Sequence, residues 1–198
     1  MKNGELSDRI SPTNLYPLLG SAATQEQADT IMKKYFYNTK KFWGTYLLPS
    51  ITRDDSHYNG QGGYWRGPIW GPMNFLVYLG MRNYEIPRAQ ADLASKSMSL
   101  FLQEWREERH VHENYCSVTG DPEAGVGHSA PFYHWGGLLG IIPLIEAGYM
   151  LAPDTDTPPG TTSTPTPAPS PSTNKDLGSW DNQPAGDKQD VAYPVGNG

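Results

Sequence analysis

Cysteine is almost missing from this chain: Cys116 is the only one in 198 residues. No intrachain disulfide can form, and no cysteine cluster is there to hold a metal. A lone cysteine reads as a small buried side chain rather than a reactive thiol. Positive charge is also short, with 15 Lys and Arg against 21 Asp and Glu, for a net charge of -6. No basic stripe runs along the sequence, which excludes a nucleic-acid partner. Long hydrophobic runs are absent too. The longest, around Leu138 to Ile145, is far too short to span a bilayer. Residues Met1 to Glu5 lack the apolar core of a secretory leader, so none is read there and the compartment is left open. No repeat of fixed period appears, which disfavours a structural repeat protein.

Composition changes sharply after Ala152. Residues 155–173 are dominated by Thr, Pro and Ser, and the rest to Gly198 is polar and glycine-rich. Such a segment cannot bury enough apolar surface to order itself. Residues 153–198 are read as a disordered tail, and residues 1–152 as the folded part, large enough for a core of ordinary size.

Within that part the pattern is helical, with no strand alternation. Residues 1–23 read as loop. Thr24-Gln25-Glu26-Gln27 is a capping-box pattern that starts a helix, continued by Ala28, Ile31, Met32, Tyr35 and Phe36 at helical spacing. Residues 44–63 form a long connector, a feature often functional in compact domains. Pro68 sits where a first helical turn accepts proline, and Ile69 to Tyr84 is apolar nearly all round, as in a buried helix. Pro87 opens a third helix. Its stripe of Ala94, Met98, Phe101 and Trp105 opposes Lys96, Gln103, Glu104 and Glu107, as in an outer, half-solvated helix. A second connector covers 109–130. A last helix, roughly 131–150, is broken or kinked by Pro143. The expected fold is all-α: about two helix pairs of a two-layer toroid, because long connectors argue against a simple bundle.

Aromatics make up 12% of the chain, with six Trp and twelve Tyr. Rings fill helical cores, so any one of them can be structural. Clustered beside Gly, Asn and a carboxylate, they also fit a sugar site, since sugars offer flat C–H faces to stack and hydroxyl rims to hydrogen-bond. Three stretches concentrate this chemistry. The first runs Tyr64-Trp65-Arg66-Gly67-Pro68-Ile69-Trp70 and on to Asn74. Its guanidinium offers a planar fork of donors, and Trp65 and Trp70 can stack. The second is His112-Glu113-Asn114-Tyr115, where Glu113 can be held as a general base. On spacing alone the signal is weak and favours the other reading, because most loop Glu residues are solvated surface. No second His follows at ligand spacing, so this is not a zinc motif, and neither a metal nor a cofactor is implied. The third is Tyr133-His134-Trp135, where a packed helix start and a cleft wall are equal readings.

In this order, Tyr64-Trp65-Arg66-Gly67, Trp70, Asn74, Glu113-Asn114-Tyr115, Thr119-Gly120 and Trp135 resemble glycoside hydrolase family 63 and the related mannosylglycerate-hydrolase-like proteins. Phe42-Trp43-Gly44 and Leu48-Pro49-Ser50 add to the resemblance, which covers roughly residues 7–150. It implies an (α/α)6 toroid and inverting hydrolysis of an α-linked sugar, typically a terminal glucose of an oligosaccharide. It implies that Glu113 is the general base. Tyr64, Trp65, Arg66, Gly67, Trp70, Asn74, Tyr115, His134 and Trp135 become the expected sugar-binding residues. The family's general acid is an Asp from an earlier part of the toroid, and neither Asp54 nor Asp55 matches its motif. The expectation is therefore a fragment, with the remainder of the toroid upstream and little or no activity on its own. The alternative is an inactive carbohydrate-binding remnant of the same fold.

Overall fold

The computed structural model describes residues 7–107, 109–118 and 133–153, all within one compact unit, Met1–Thr166. Residues 154–198, nearly all of the expected tail, lie outside the described residues, as do Thr119, Gly120 and Phe132.

The first 23 residues are not simply loop. Pro12–Leu18 forms a 3-10 helix that buries Leu15 and Leu18. Asn14 Oδ1 accepts the Ser11 N–H at 2.8 Å, and Pro12 supplies a preset φ at the first turn. Helix α1, Gln25–Ile31, starts where the capping box places it. The Gln27 N–H donates to Thr24 Oγ1 at 3.2 Å, and Gln27 Oε1 accepts the Thr24 N–H at 2.8 Å. Removing this cap with Thr24→Ala should cost about 1 kcal/mol, read as a small fall in the thermal midpoint with the fold retained. The helix widens into a π turn over Met32–Phe36, closed by the Tyr37 N–H on the Met32 carbonyl.

Helix α2 is Gly71–Met81, shorter than the 69–84 run of apolar residues. The proline of its first turn is Pro72, not Pro68. Ile69 is spent on pairing instead: it bridges antiparallel to Pro49 on one side and to Tyr115 on the other. The Ile69 N–H reaches the Tyr115 carbonyl at 2.7 Å, and the Tyr115 N–H reaches the Ile69 carbonyl at 3.0 Å. Backbone groups that the sequence pattern assigns to a helix are satisfied by this small three-segment ladder.

Helix α3, Pro87–Glu107, begins at the proline. Its buried face is Ala89, Leu93, Ala94, Ser97, Leu100 and Glu104. Trp105, expected in the apolar stripe, is 36% exposed, whereas Glu104, expected on the wet face, is 1% exposed. The most buried stripe is displaced by one residue, to Leu93, Ser97, Leu100 and Glu104, with Ala94 still on the buried face. The two stripes have the same helical spacing, so the sequence period alone does not separate them. Helix α4, His134–Glu146, passes through Pro143 as one element, so the proline does not split it.

Helix α4 packs against both α2 and α3, and α2 also packs on the 3-10 helix. The core includes Val77, Tyr78 and Met81 of α2, Leu93 and Leu100 of α3, and Leu139 and Ile142 of α4. Burying an aliphatic side chain of this size contributes about 1.5–3 kcal/mol relative to leaving it exposed. Tyr78 adds a polar tie, its hydroxyl donating to Glu146 Oε2 at 2.8 Å. Close approach at the start of α4 depends on two glycines, Gly71 of α2 against α4 and Gly136 of α4 against the His112 segment. A Cβ on Gly71 would lie 2.1 Å from the Trp135 carbonyl oxygen, and one on Gly136 would lie 1.9 Å from the His112 carbonyl oxygen. These two contacts fix the start of α4 against both aromatic and acidic segments. No helix among the described residues is long and apolar enough to cross a membrane.

Candidate active site

The segment 63–70 leaves the long connector as a tight turn. The Arg66 N–H donates to the Gly63 carbonyl at 3.0 Å, and the Asn59 N–H to the Arg66 carbonyl at 2.6 Å. Gly67 has φ +152, and a Cβ there would lie 2.1 Å from the Asn59 carbonyl oxygen. Only glycine fits that turn. The Gly67 N–H donates to Ser50 Oγ at 2.8 Å, which pins the turn to the segment before it. Tyr64 carries φ +56 without being glycine, a conformation that costs about 1–2 kcal/mol. Strain of this sort persists where the surroundings hold it, commonly at sites.

The held conformation puts the Tyr64 ring over the acidic segment. Tyr64 Oη donates to Glu113 Oε1 at 2.9 Å across 49 positions of sequence. That hydrogen bond is the main cause that raises the Tyr64 phenol above its ordinary pKa, with desolvation and the Glu113 charge adding to it. Glu113 is half-buried, between the buried His112 and Asn114. Tyr115 is fully buried, its hydroxyl accepting the His112 N–H at 3.3 Å, and burial pushes its phenol well up.

Around this pair stands a wall of rings. Trp65 stacks on Trp70 with centroids 3.6 Å apart and planes 15° from parallel. Tyr64 meets Trp70 edge to face at 4.7 Å. Trp70 is fully buried and donates its Nε1–H to the Tyr64 carbonyl at 3.1 Å. Trp135, at the start of α4, tilts against Trp70 at 6.1 Å. Tyr133 stacks on His134 at 5.8 Å and meets Trp135 edge to face at 5.7 Å. Tyr64 and Trp65 are each 45% exposed, so the wall ends in two open ring faces.

The expected site residues thus divide into two layers. Tyr64, Trp65, Arg66, Glu113, His134 and Trp135 keep exposed or half-exposed side chains. Gly67, Trp70, Asn74 and Tyr115 lie beneath them. Asn74 is 1% exposed and donates its amide to the Leu48 and Trp70 carbonyls, at 3.3 and 3.2 Å. It ties the stacked tryptophan to the Pro49 segment. Arg66 turns its Nε–H to the Gly63 carbonyl at 3.3 Å.

One residue that no sequence motif marks holds the two connectors together. Arg53 donates to Tyr58 Oη at 2.7 Å, to the Tyr46 carbonyl at 2.9 Å, and at 3.4 Å to the carbonyl of Ser117. Ser117 in turn meets Tyr58 through its hydroxyl at 2.8 Å, and its N–H donates to the Gly60 carbonyl at 2.9 Å. An arginine in a polar connector carries no periodicity signal, so sequence reasoning passes over it. Among the described residues no group of three or more His, Cys, Asp or Glu is placed to hold a metal ion.

A half-buried carboxylate that accepts a phenolic hydrogen bond beside open indole faces can bind a sugar ring and orient a water. The chain is 31% identical over 94 residues to a mannosyl-oligosaccharide glucosidase of Saccharomyces cerevisiae, covering 41% of this chain and 11% of that protein. It is 33% identical over 90 residues to a mannosylglycerate hydrolase of Thermus thermophilus, covering 44% of this chain and 20% of that one. The crystal structure of a GH63 mannosylglycerate hydrolase of Thermus thermophilus in complex with glucose superposes with a TM-score of 0.58 at 24% identity. That match covers 70% of this chain and 32% of that one, and it shows the toroid fold in part. The chain therefore spans a third or less of these relatives. Residues 1–136 match the model of the mannosylglycerate hydrolase MGH1-like glycoside hydrolase domain, more than half of the 198 residues, and the chain belongs to that glycoside hydrolase family.

Proposed function

We propose that this chain is the base-bearing segment of an inverting α-glycosidase, with Glu113 as the general base. The Tyr64–Glu113 hydrogen bond, set beside the Trp65–Trp70 stack, is the observation that supports it. Inversion needs two carboxyl groups roughly 6.5–9.5 Å apart, with a water between the base and the sugar. Glu113 takes a proton from that water as the water oxygen bonds to the anomeric carbon. The bond from that carbon to the leaving oxygen breaks at the same time, and the leaving oxygen takes a proton from the acid. Tyr64, donating to Oε1, orients the carboxylate and leaves Oε2 for the water. The open faces of Tyr64 and Trp65 stack the sugar, and His134 and Trp135 extend the same wall. The substrate is a terminal α-linked sugar of an oligosaccharide or small glycoside, with glucose the first sugar to try. The acid belongs to the rest of the toroid, carried by chain outside these 198 residues.

This division of labour gives a direct test. A glycosyl fluoride has a leaving group that departs without protonation, so it needs the base and not the acid. The 198-residue chain should hydrolyse α-glucosyl fluoride in a Glu113-dependent way and leave methyl α-glucoside intact. α-Mannosyl fluoride, run in parallel, identifies the preferred sugar. Hydrolysis of the methyl glycoside would show that the chain carries its own acid. Sugar binding with no turnover of either fluoride would instead favour the carbohydrate-binding remnant.

A further inference from the structure

Glu104 is chemically out of place. It lies on the buried face of α3, in line with Leu93 and Leu100, and is 1% exposed. Taking a carboxylate out of water is costly unless an opposite charge and hydrogen bonds compensate, and replacing a whole buried ion pair by apolar residues of similar volume is often neutral or stabilising. A buried acid kept at a core position therefore calls for a partner. Facing it is His112, itself 7% exposed, with Nε2 3.9 Å from Glu104 Oε2. Tyr46 and Tyr115 also feel the Glu104 charge, which adds to the rise of both phenols.

His112 directly precedes Glu113 and is held on several sides. Its N–H donates to Tyr115 Oη at 3.3 Å. Its carbonyl oxygen packs on Gly136 so closely that a Cβ there would lie 1.9 Å away. His110 meets its ring edge to face at 5.5 Å. Two residues beyond Glu113, Tyr115 is locked into the backbone ladder with Ile69. The imidazole is the side-chain end of this clamp, and Glu104 is what it faces.

We infer that Glu104 is a positioning residue for Glu113: paired with His112 from beneath, it fixes the backbone that presents the carboxylate to Tyr64. The inference rests on the reading of Glu113 as the base, and it deepens that reading by naming what holds the base in place. Glu104 does not touch the substrate. Its loss moves Glu113 and weakens the hydrogen bond from Tyr64.

The Tyr64 phenol reports that contact without any need for turnover. Glu113 is the main charged group that raises it, with a smaller effect from Tyr133. Its titration can be followed in the full chain by carbon NMR of the tyrosine ring, with Tyr64→Phe to assign the signal. The expected order of midpoints is wild type highest, Glu104→Gln lower and Glu104→Leu lowest, displaced toward the ordinary tyrosine range. The Gln amide keeps a polar group of the same size facing His112, so it rescues in part. Glu104→Leu leaves His112 buried without the carboxylate it faces and should also melt lower, so the Tyr64 midpoint, read well below the melting transition, is what separates positioning from simple loss of stability. If Glu104→Leu does not fold, Glu104→Gln carries the test: a lowered Tyr64 midpoint supports the inference and an unchanged one overturns it. A folded Glu104→Leu protein with Tyr64 titrating as in wild type also overturns it. Glu113→Gln distinguishes the two levels. If that change leaves Tyr64 unmoved, the site reading falls and the inference falls with it. If it moves Tyr64 while the Glu104 variants do not, only the inference falls.

Discussion

Gly136→Ala should destabilise the chain by about 3 kcal/mol, the upper end of what overpacking a tight contact costs. In a thermal melt that corresponds to a fall on the order of 10 °C. The added methyl would sit 1.9 Å from the His112 carbonyl oxygen and 2.7 Å from Tyr115 Oη. Neither neighbour can retreat cheaply. The His112 carbonyl is backbone, next to a segment paired with Ile69, and Tyr115 is fully buried. Helix α4 must therefore back away from the 112–115 segment, opening the core around Leu139 and Ile142. Gly137→Ala is the matched control. Its nearest neighbour beyond its own helix and chain neighbours is a Val111 methyl at 3.9 Å, an ordinary contact, and alanine is the better helix former by about 1 kcal/mol. Opposite signs for two adjacent glycines of one helix would locate the close approach at position 136. Equal effects would show that α4 does not press on His112.

The second large effect is chemical. Glu113→Gln should lower the rate of α-glucosyl fluoride hydrolysis by about 10²–10⁴-fold, the usual contribution of a positioned general base. The substitution keeps the size of the side chain and can still accept the Tyr64 hydroxyl at the position of Oε1. What it removes is the ability to take a proton from water. The fold should survive, because Glu113 is half-buried and its carboxylate meets the hydroxyl of an exposed residue, Tyr64. A loss of rate with an unchanged melting temperature separates this variant from Gly136→Ala, which acts through packing.

Much of the scaffold is legible in the sequence because its signals are local. Thr24 to Gln27 predicts both the start of α1 and the reciprocal hydrogen bonds that make it. Pro87 marks the first residue of α3. What resists reading is set by partners far along the chain. Ile69 looks like the first residue of a buried helix, and it becomes a bridge because Pro49 and Tyr115 come to either side of it. Glu104 looks like part of a wet face until His112 arrives opposite it. The same holds at the site. The Tyr64-Trp65-Arg66-Gly67 and Glu113-Asn114-Tyr115 motifs are visible one at a time, but their contact spans 49 positions and depends on a positive φ at Tyr64. Composition and spacing carry no trace of that conformation. The supporting role of Asn74 is equally hidden: an amide near stacked rings suits a sugar as well as it suits the Leu48 carbonyl that it meets.

The resemblance to family 63 joins the two motifs before any geometry is known, and the geometry then supplies what a motif cannot. It separates the ring faces that stand open from those packed beneath, and it shows which glycines bear on the acidic segment. It also brings into view Arg53 and Glu104, neither of which belongs to a recognisable pattern.

The central claim is that Glu113 activates water for attack opposite the leaving group. The stereochemistry of the first product formed from α-glucosyl fluoride tests it most directly. Proton NMR during the first turnovers of the 198-residue chain should show β-glucose appearing ahead of the α-anomer, with the signal lost in Glu113→Gln. Initial release of α-glucose, or β-glucose formed equally fast without the Glu113 carboxylate, would contradict it.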